Sequence, residues 1–178
     1  PKQRQLVIDV GGGSTELVIG QGFEALETES LQMGCVATTQ RYFASGRITR
    51  KLWQDVQLRL PIEFAPFVAA YKARGWKRVI GSSGTIKSIS KILREMGGRD
   101  REVTREGLAM LIEQIIEAGQ IQRASLPGLS DDRRPVLLGG LAALWACFEA
   151  LGFERLRVSD YAMREGLLYD QLGRFQHQ

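Results

Sequence analysis

Histidine is nearly absent from this chain. Of 178 residues only His177 carries an imidazole, and it stands in the tail. A Ser–His triad therefore fails on inventory. Cysteine is almost as scarce. Cys35 and Cys147 lie far apart among apolar neighbours. They read as core thiols of a protein in a reduced, cytoplasmic compartment, not as a disulfide scaffold. A reactive thiol would want a basic or histidine partner, and none lies nearby in sequence. Two scattered cysteines and one histidine also leave no zinc ligand set. Long hydrophobic runs are missing too. The longest, Val136 to Leu151, carries Gly139, Gly140 and Glu149 and falls short of the roughly 20 residues a membrane span needs. It reads as a buried helix, so no transmembrane segment is expected. The opening "PKQRQLVIDV" has no signal-peptide pattern and no initiator Met, and it enters a strand almost at once. The expectation is a piece of a longer protein.

What is present is ordinary for a soluble globular protein, with 44% hydrophobic and 25% charged residues. The length suits one sizeable core or two small lobes. The net charge of +4 is unevenly spread. Between Lys72 and Arg101 there are nine Lys/Arg against two acids, Glu95 and Asp100. Such a block either attracts a polyanion or is a solvated helix face. Nucleic acid is not an expected partner. Trp53, Trp76 and Trp145 lie in helical or turn contexts that suit packing, and no RNA-binding motif appears.

Along the chain, Leu6–Val10 and Glu16–Ile19 read as strands, and Ala25–Leu31 as a weaker third. Glycine-punctuated turns join them into an antiparallel meander. Helical spacing follows over Cys35–Phe43 and over Arg50–Arg74, where Pro61 and Pro66 predict a kink or break. Arg78–Ile80 is a strand, and Thr85–Met96 an amphipathic helix stopped by Gly97 and Gly98. Thr104 is an N-cap for a helix to about Ala118. Pro135 opens the apolar helix to Leu151 as an N1 proline. Arg155–Ser159 is a strand and Tyr161–Leu172 a final helix. The expected fold is an α/β layer with a mixed five-stranded sheet, an N-terminal meander and flanking helices, in a single domain over 1–178.

The first chemistry-bearing stretch is "VIDVGGGSTELVIG", residues 7 to 20. It is not a dinucleotide fingerprint, because Glu16 stands where the third glycine belongs and a strand follows where a helix should. No Walker Gly-Lys-Ser/Thr occurs. A hairpin of this kind exposes backbone N–H groups at Gly11, Gly12 and Gly13 and can hold phosphate oxygens. Asp9 ends one strand and Glu16 starts the next. Two carboxylates at a phosphate-binding turn suit Mg²⁺, which takes one or two carboxylates plus waters and substrate phosphates. The competing reading is plain, since Asp-Gly is also common hairpin chemistry.

The second stretch is "VIGSSGTIKSI", residues 79–89: strand, Gly-Ser-Ser-Gly-Thr, helix. It is not a nucleophile elbow, because its second glycine comes one place too early. The free N–H groups at the helix start form an anion site, with hydroxyls from Ser82, Ser83 and Thr85 and with Lys87 in the first turn. The alternative is simple N-capping by Ser83 or Thr85. Two phosphate-type loops, each after a strand, in a chain with a basic block, favour a phosphate substrate.

Together with "SLQMGCV" at 30–36, "LPGLSDDRRPVLLGGLAAL" and "VSDYAMREGLLYDQLGRFQHQ" near the end, these stretches resemble the exopolyphosphatase / guanosine pentaphosphate phosphohydrolase family. That family belongs to the superfamily of sugar kinases, actin and heat-shock ATPases. The resemblance runs from Val7 to the C-terminus. It implies a lobe of ribonuclease-H-like topology, the second of two, with the active site in the cleft between them. The family's first lobe carries another phosphate loop and a catalytic glutamate, and neither is found here. By the family pattern, Asp9 and Glu16 position Mg²⁺ or the lytic water, Gly11 to Gly13 bind phosphate, and Ser14 adds a hydroxyl. The Gly81, Ser82, Ser83, Gly84, Thr85 loop faces the cleft. Arg164, in the "REG" element, either works in the cleft or pairs within the fold.

The resemblance implies hydrolysis of the terminal phosphate of inorganic polyphosphate or guanosine pentaphosphate by the whole protein with Mg²⁺, and an inactive lobe when alone. Its partners would be that substrate, the first lobe, and a second copy of the chain if the bared lobe face pairs. Two other readings stay open: an ATP-using member of the superfamily, and a sensor that binds polyphosphate or nucleotide without hydrolysing it.

Overall fold

The computed structural model describes residues 3–159. Its centre is a six-stranded mixed sheet. Arg4–Val10 (β1), Thr15–Gln21 (β2) and Glu24–Leu31 (β3) form the antiparallel meander. Arg78–Gly81 (β4) and Arg155–Val158 (β6) extend it in parallel with β1, and Glu102–Thr104 (β5) closes the edge antiparallel to β6. The strand order is β3-β2-β1-β4-β6-β5.

The sixth strand corrects the expectation of five. β5 is three residues long and lies at the sheet edge. A run of Glu-Val-Thr between two arginines has neither the length nor the apolar alternation that marks a strand in sequence. Thr104 nevertheless caps the next helix as expected, its Oγ1 accepting from the Gly107 N–H at 2.9 Å.

The helices are Cys35–Tyr42 (α1), Arg50–Arg59 (α2), Val68–Arg74 (α3), Gly84–Glu95 (α4), Arg105–Ala118 (α5) and Leu137–Leu151 (α6). The prolines break the 50–74 stretch as expected. Pro61 sits in a 3-10 turn, Leu60–Phe64, which separates α2 from α3. Pro135 belongs to a 3-10 turn at Arg134–Val136 and not to the first turn of α6, a correction of one turn. The expected helix at Tyr161–Leu172 lies outside the described residues.

β1 and β2 are buried on both faces, so they read as continuous apolar runs. Leu6, Ile8, Leu17 and Ile19 face the main core with α4 and α6. Val7, Val18 and Ile80 form a small cluster on the other face. Tyr71 of α3 ties the main layer to the sheet by donating its hydroxyl to the Leu17 carbonyl at 2.6 Å. Burial pushes its phenol well above the usual range. Both cysteines are buried, as expected, and desolvation pushes the Cys147 thiol up to about 12.

α6 is the central buried helix the sequence suggested, and its glycine pair sets the layout of the site. A Cβ on Gly139 would lie 2.3 Å from the Cys35 carbonyl oxygen, and one on Gly140 would lie 2.5 Å from Cγ2 of Thr85. The Gly139 N–H also donates to Thr39 Oγ1 at 2.9 Å. Two glycines thus let α1 and α4 close on one helix, which brings their N-termini to the same end of the sheet. Gly139→Ala is expected to lower stability by about 1–3 kcal/mol through overpacking against backbone. A urea melt with a lower midpoint and unchanged slope would show it.

Candidate functional site

β1, β4 and β6 run parallel, so their C-terminal ends share one edge of the sheet. Both glycine loops open from that edge, where open α/β sheets bind ligands. The loop after β1 spans residues 11–14, and the loop after β4 leads into α4. Backbone bonds tie the ends together. Ser82 N–H donates to the Ile8 carbonyl at 2.9 Å, and Ser159 N–H to the Gly81 carbonyl at 3.0 Å.

Asp9 and Glu16 are register partners across β1 and β2. Directly opposed residues place their Cβ atoms roughly 5 Å apart. Strand alternation puts both on the face of Val7 and Val18, away from the main core. Both are deeply buried, Asp9 at 4% exposure and Glu16 at 1%. Ser14 Oγ donates to Glu16 Oε1 at 2.8 Å, which holds one oxygen of that carboxylate. Two buried carboxylates thus face each other at the mouth of the glycine loop. No cluster of three or more metal-ligating side chains exists among the described residues. A hydrated divalent ion of the Mg²⁺ type takes one or two carboxylates plus waters, and Asp9 and Glu16 are the described residues that could hold one.

The glycine loop turns its carbonyls inward. Gly11 O accepts from Cys35 N–H at 2.8 Å, and Gly12 O from Val36 at 2.9 Å and Ala37 at 3.0 Å. The loop thereby caps the first turn of α1 with backbone oxygens, in place of a capping side chain. Gly11 N–H bonds back to Ser14 O at 2.9 Å and closes the hairpin. Among the described residues, the N–H groups of Gly12 and Gly13 have no protein partner.

Their side-chain space is informative. A Cβ on Gly13 would meet nothing within 4 Å, and one on Gly12 would make ordinary contact with Val36 at 3.6 Å. Neither residue has the positive φ that demands glycine. The hairpin alone does not require glycine at 12 or 13. Glycine there keeps the two N–H groups open to something outside the chain, which favours the phosphate reading of the loop over the purely structural one.

In the second loop, Ser83 is the N-cap of α4. Its Oγ accepts from Ile86 N–H at 3.1 Å and its carbonyl from Lys87 N–H at 3.0 Å. The capping alternative thus holds for Ser83 and not for Thr85. Ser83 stands at φ 154°, ψ 161°, a region used mainly by glycine and costing about 1–3 kcal/mol. Such strain persists where the surroundings fix a loop for a purpose. The N–H groups of Gly84 and Thr85 remain without protein partners among the described residues. Ser82 and Thr85 are buried, while Ser83, Gly84 and Lys87 are half-buried.

One residue escaped the sequence reading. A Cβ on Gly84 would lie 1.8 Å from Nη2 of Arg133 and 2.5 Å from its Cζ. The guanidinium therefore lies against the backbone at the start of α4, in space that only glycine leaves open. It makes no hydrogen bond or ion pair among the described residues. In sequence Arg133 follows Asp131 and Asp132 and looks neutralised locally. Only the fold carries it to the loop. The structure brings together Asp9, Gly11, Gly12, Gly13, Ser14 and Glu16 on one loop, and Gly81 to Thr85 with Lys87 on the neighbouring one. Arg164 lies outside the described residues.

Comparison with known proteins gives a consistent picture. Residues 1–175 match the model of the Ppx/GppA phosphatase family. A Haemophilus influenzae protein whose name assigns it to the exopolyphosphatases is 38% identical over 175 residues, covering 98% of this chain and 54% of its own length. A guanosine-5'-triphosphate,3'-diphosphate pyrophosphatase of Pseudoalteromonas translucida is 39% identical over 168 residues, 94% of this chain and 34% of that protein. The chain thus spans about half or less of the curated relatives it matches. Among solved structures, the Aquifex aeolicus PPX-GPPA enzyme superposes with a TM-score of 0.75 at 24% identity, over 97% of this chain and 57% of that one. An exopolyphosphatase from Cytophaga hutchinsonii gives 0.74 at 19% identity, over 97% of this chain and 58% of that one. At these identities the structures speak for the shared fold.

Proposed function

Since the chain belongs to the Ppx/GppA phosphatase family, we propose that it is the phosphate-gripping lobe of a phosphoanhydride hydrolase. The substrate is a terminal phosphate of inorganic polyphosphate or of guanosine pentaphosphate. The observation that carries this reading is the pair of open N–H groups at Gly12 and Gly13, in a turn whose flanking strands carry two buried carboxylates, at glycines the hairpin itself does not need.

Hydrolysis of a phosphoanhydride rests on positioning and charge neutralisation more than on covalent help. The Gly12 and Gly13 amides are oriented donors for phosphate oxygens that gain charge in the transition state. The Gly84 and Thr85 amides, the α4 dipole and the Arg133 guanidinium supply a second positive wall. Ser14 orients Glu16, which together with Asp9 would hold Mg²⁺. When bound there, Mg²⁺ would supply charge neutralisation for the phosphate. The general base belongs to a first lobe that completes the cleft, so the lobe alone binds phosphate but turns over little.

The test is phosphate release from long-chain polyphosphate with Mg²⁺, by a protein carrying both lobes, beside its Asp9→Asn variant. Release abolished by the substitution supports the reading. Release that persists unchanged in Asp9→Asn contradicts it.

A second expectation concerns Arg133. Arg133→Ala is expected to weaken tripolyphosphate binding by about tenfold, the scale of one charge-assisted hydrogen bond. The melting temperature should barely change, because the Arg133 guanidinium makes no hydrogen bond or ion pair among the described residues. Isothermal titration calorimetry and a thermal melt read the two quantities separately.

A further inference from the structure

The sheet edge opposite the meander holds a cavity of about 320 Å³, between the end of α4 and the start of α5. That volume is at the small end of ligand pockets, which run from about 300 Å³ upward. β5 forms one wall. Glu102 and Thr104 line the cavity and Val103 does not. This is the alternation of a strand with one face toward the space. Val103 belongs instead to the main core. Leu93 and Met96 of α4 and Met110 of α5 supply the apolar lining. The cavity lies three strands from β1 and shares no residue with the two glycine loops.

Glu102 sets the chemistry of this space. It is 9% exposed, and its side chain makes no hydrogen bond or ion pair among the described residues. Its register partner on β6 is Arg157, which is exposed and does not pair with it. A buried carboxylate without a partner is costly, and native structures seldom keep one without a reason. Glu106, exposed in the first turn of α5, gives the lining a second acid. Arg99 is the one cation among the described lining residues; it is exposed and pairs with neither acid. Met110 is 54% exposed, a large apolar side chain left at the surface beside these acids. Methionine is flexible and adapts to aliphatic groups of varied shape.

We infer that this cavity binds a small aliphatic amine, with its ammonium against Glu102 and its hydrocarbon stem along Leu93, Met96 and Met110. An ammonium donates the charge-assisted hydrogen bonds that the Glu102 carboxylate lacks. A carboxylate ligand would bring a second negative charge up to Glu102. A purely apolar ligand would leave Glu102 unpaired. An aromatic ligand finds no ring to stack on, since the described lining contains none. A diamine can also turn its second ammonium toward Glu106. The inference stands apart from the phosphate reading, because the two sites share no residue, and it gives the lobe a second class of ligand.

The test titrates diaminopentane into the ¹⁵N-labelled chain at low ionic strength, with hexanoate as an anionic control of similar length. The amides of Glu102, Thr104, Gly107 and Met110 are expected to shift together and saturate, while those of Gly12 and Gly13 stay in place. Hexanoate should move none of them. Glu102→Gln should weaken binding by about tenfold, the scale of one charge-assisted hydrogen bond. Arg99→Ala should strengthen it by about twofold, because a like charge leaves the lining. Met110→Lys puts a cation at an exposed position of the lining and should abolish saturation. That variant keeps the test open if a thermal melt shows that Glu102→Gln does not fold. Absence of saturable shifts at the four lining amides overturns the proposal. So does a folded Glu102→Gln or Met110→Lys variant that binds as tightly as wild type. Loss of binding in Arg99→Ala, or hexanoate binding as tight as the diamine, assigns the cavity to an anion and overturns it as well.

Discussion

Glu16→Gln is expected to leave the fold standing while phosphate release from polyphosphate falls by about 100-fold or more, the cost of removing one oriented charge from a transition-state clamp. The fold survives for a local reason. A glutamine oxygen still accepts the Ser14 hydroxyl that now reaches Glu16 Oε1 at 2.8 Å. The substitution is also nearly isosteric, so the packing across the Asp9–Glu16 register pair is kept. With that hydrogen bond kept, the melting temperature should stay close to wild type. Activity falls because the same charge would hold Mg²⁺ with Asp9. The measurement is a steady-state rate with Mg²⁺ in a protein carrying both lobes, beside a thermal melt of the chain. A variant that loses stability and activity together would make Glu16 a structural residue.

Gly34→Ala should do the opposite, damaging the fold first and the chemistry as a consequence. A Cβ at Gly34 would lie 2.4 Å from the Gly12 carbonyl oxygen and 2.5 Å from that of Gly11. These are backbone atoms and cannot swing aside. Either α1 or the glycine loop must move, and three hydrogen bonds to Cys35, Val36 and Ala37 weaken with the move. The expected loss is about 3 kcal/mol or more, from overpacking plus unmet helix N–H groups. Phosphate binding should vanish in step, because the Gly12 and Gly13 amides are aimed by those same bonds. Gly13→Ala is the contrast. Its Cβ meets nothing, so it should melt like wild type and still bind phosphate poorly. A Gly34→Ala variant of wild-type stability would show that the loop does not depend on α1.

Much of this was legible in the sequence because the signals were local. "LVIDV" and "ELVIG" are apolar runs with glycines between them, and they fold as the meander they suggest. Asp9 ends the strand before the glycines and Glu16 begins the strand after them, and the hairpin pairs them in register. The Gly-Ser-Ser-Gly-Thr loop between a strand and an amphipathic helix suggested either a cap or an anion site, and Ser83 takes the cap while the Gly84 and Thr85 amides have no partner among the described residues.

What sequence could not supply was long-range. Arg133 is separated from Gly84 by 49 positions and is disguised by two preceding aspartates. Only the packing of α6 against α1 and α4 carries it to the loop. The role of Gly139 and Gly140 was hidden for the same reason. They looked like interruptions of an apolar run and are instead the contact points that set the position of both helix N-termini. β5 was missed because an edge strand of three residues needs few apolar side chains. The basic block was ambiguous until the fold divided it, sending Arg74 and Lys77 to the end of the sheet away from the glycine loops and Lys87, Lys91, Arg94 and Arg101 to a groove along α4.

The central claim is that two backbone loops on one sheet edge grip phosphate. The most direct measurement follows amide resonances of the ¹⁵N-labelled chain while tripolyphosphate and Mg²⁺ are titrated in. The account predicts that the Gly12, Gly13, Gly84 and Thr85 amides move together and saturate at one concentration, and that Gly13→Ala weakens the whole set. Shifts confined to surface lysines and arginines, with those four amides unmoved, would contradict it.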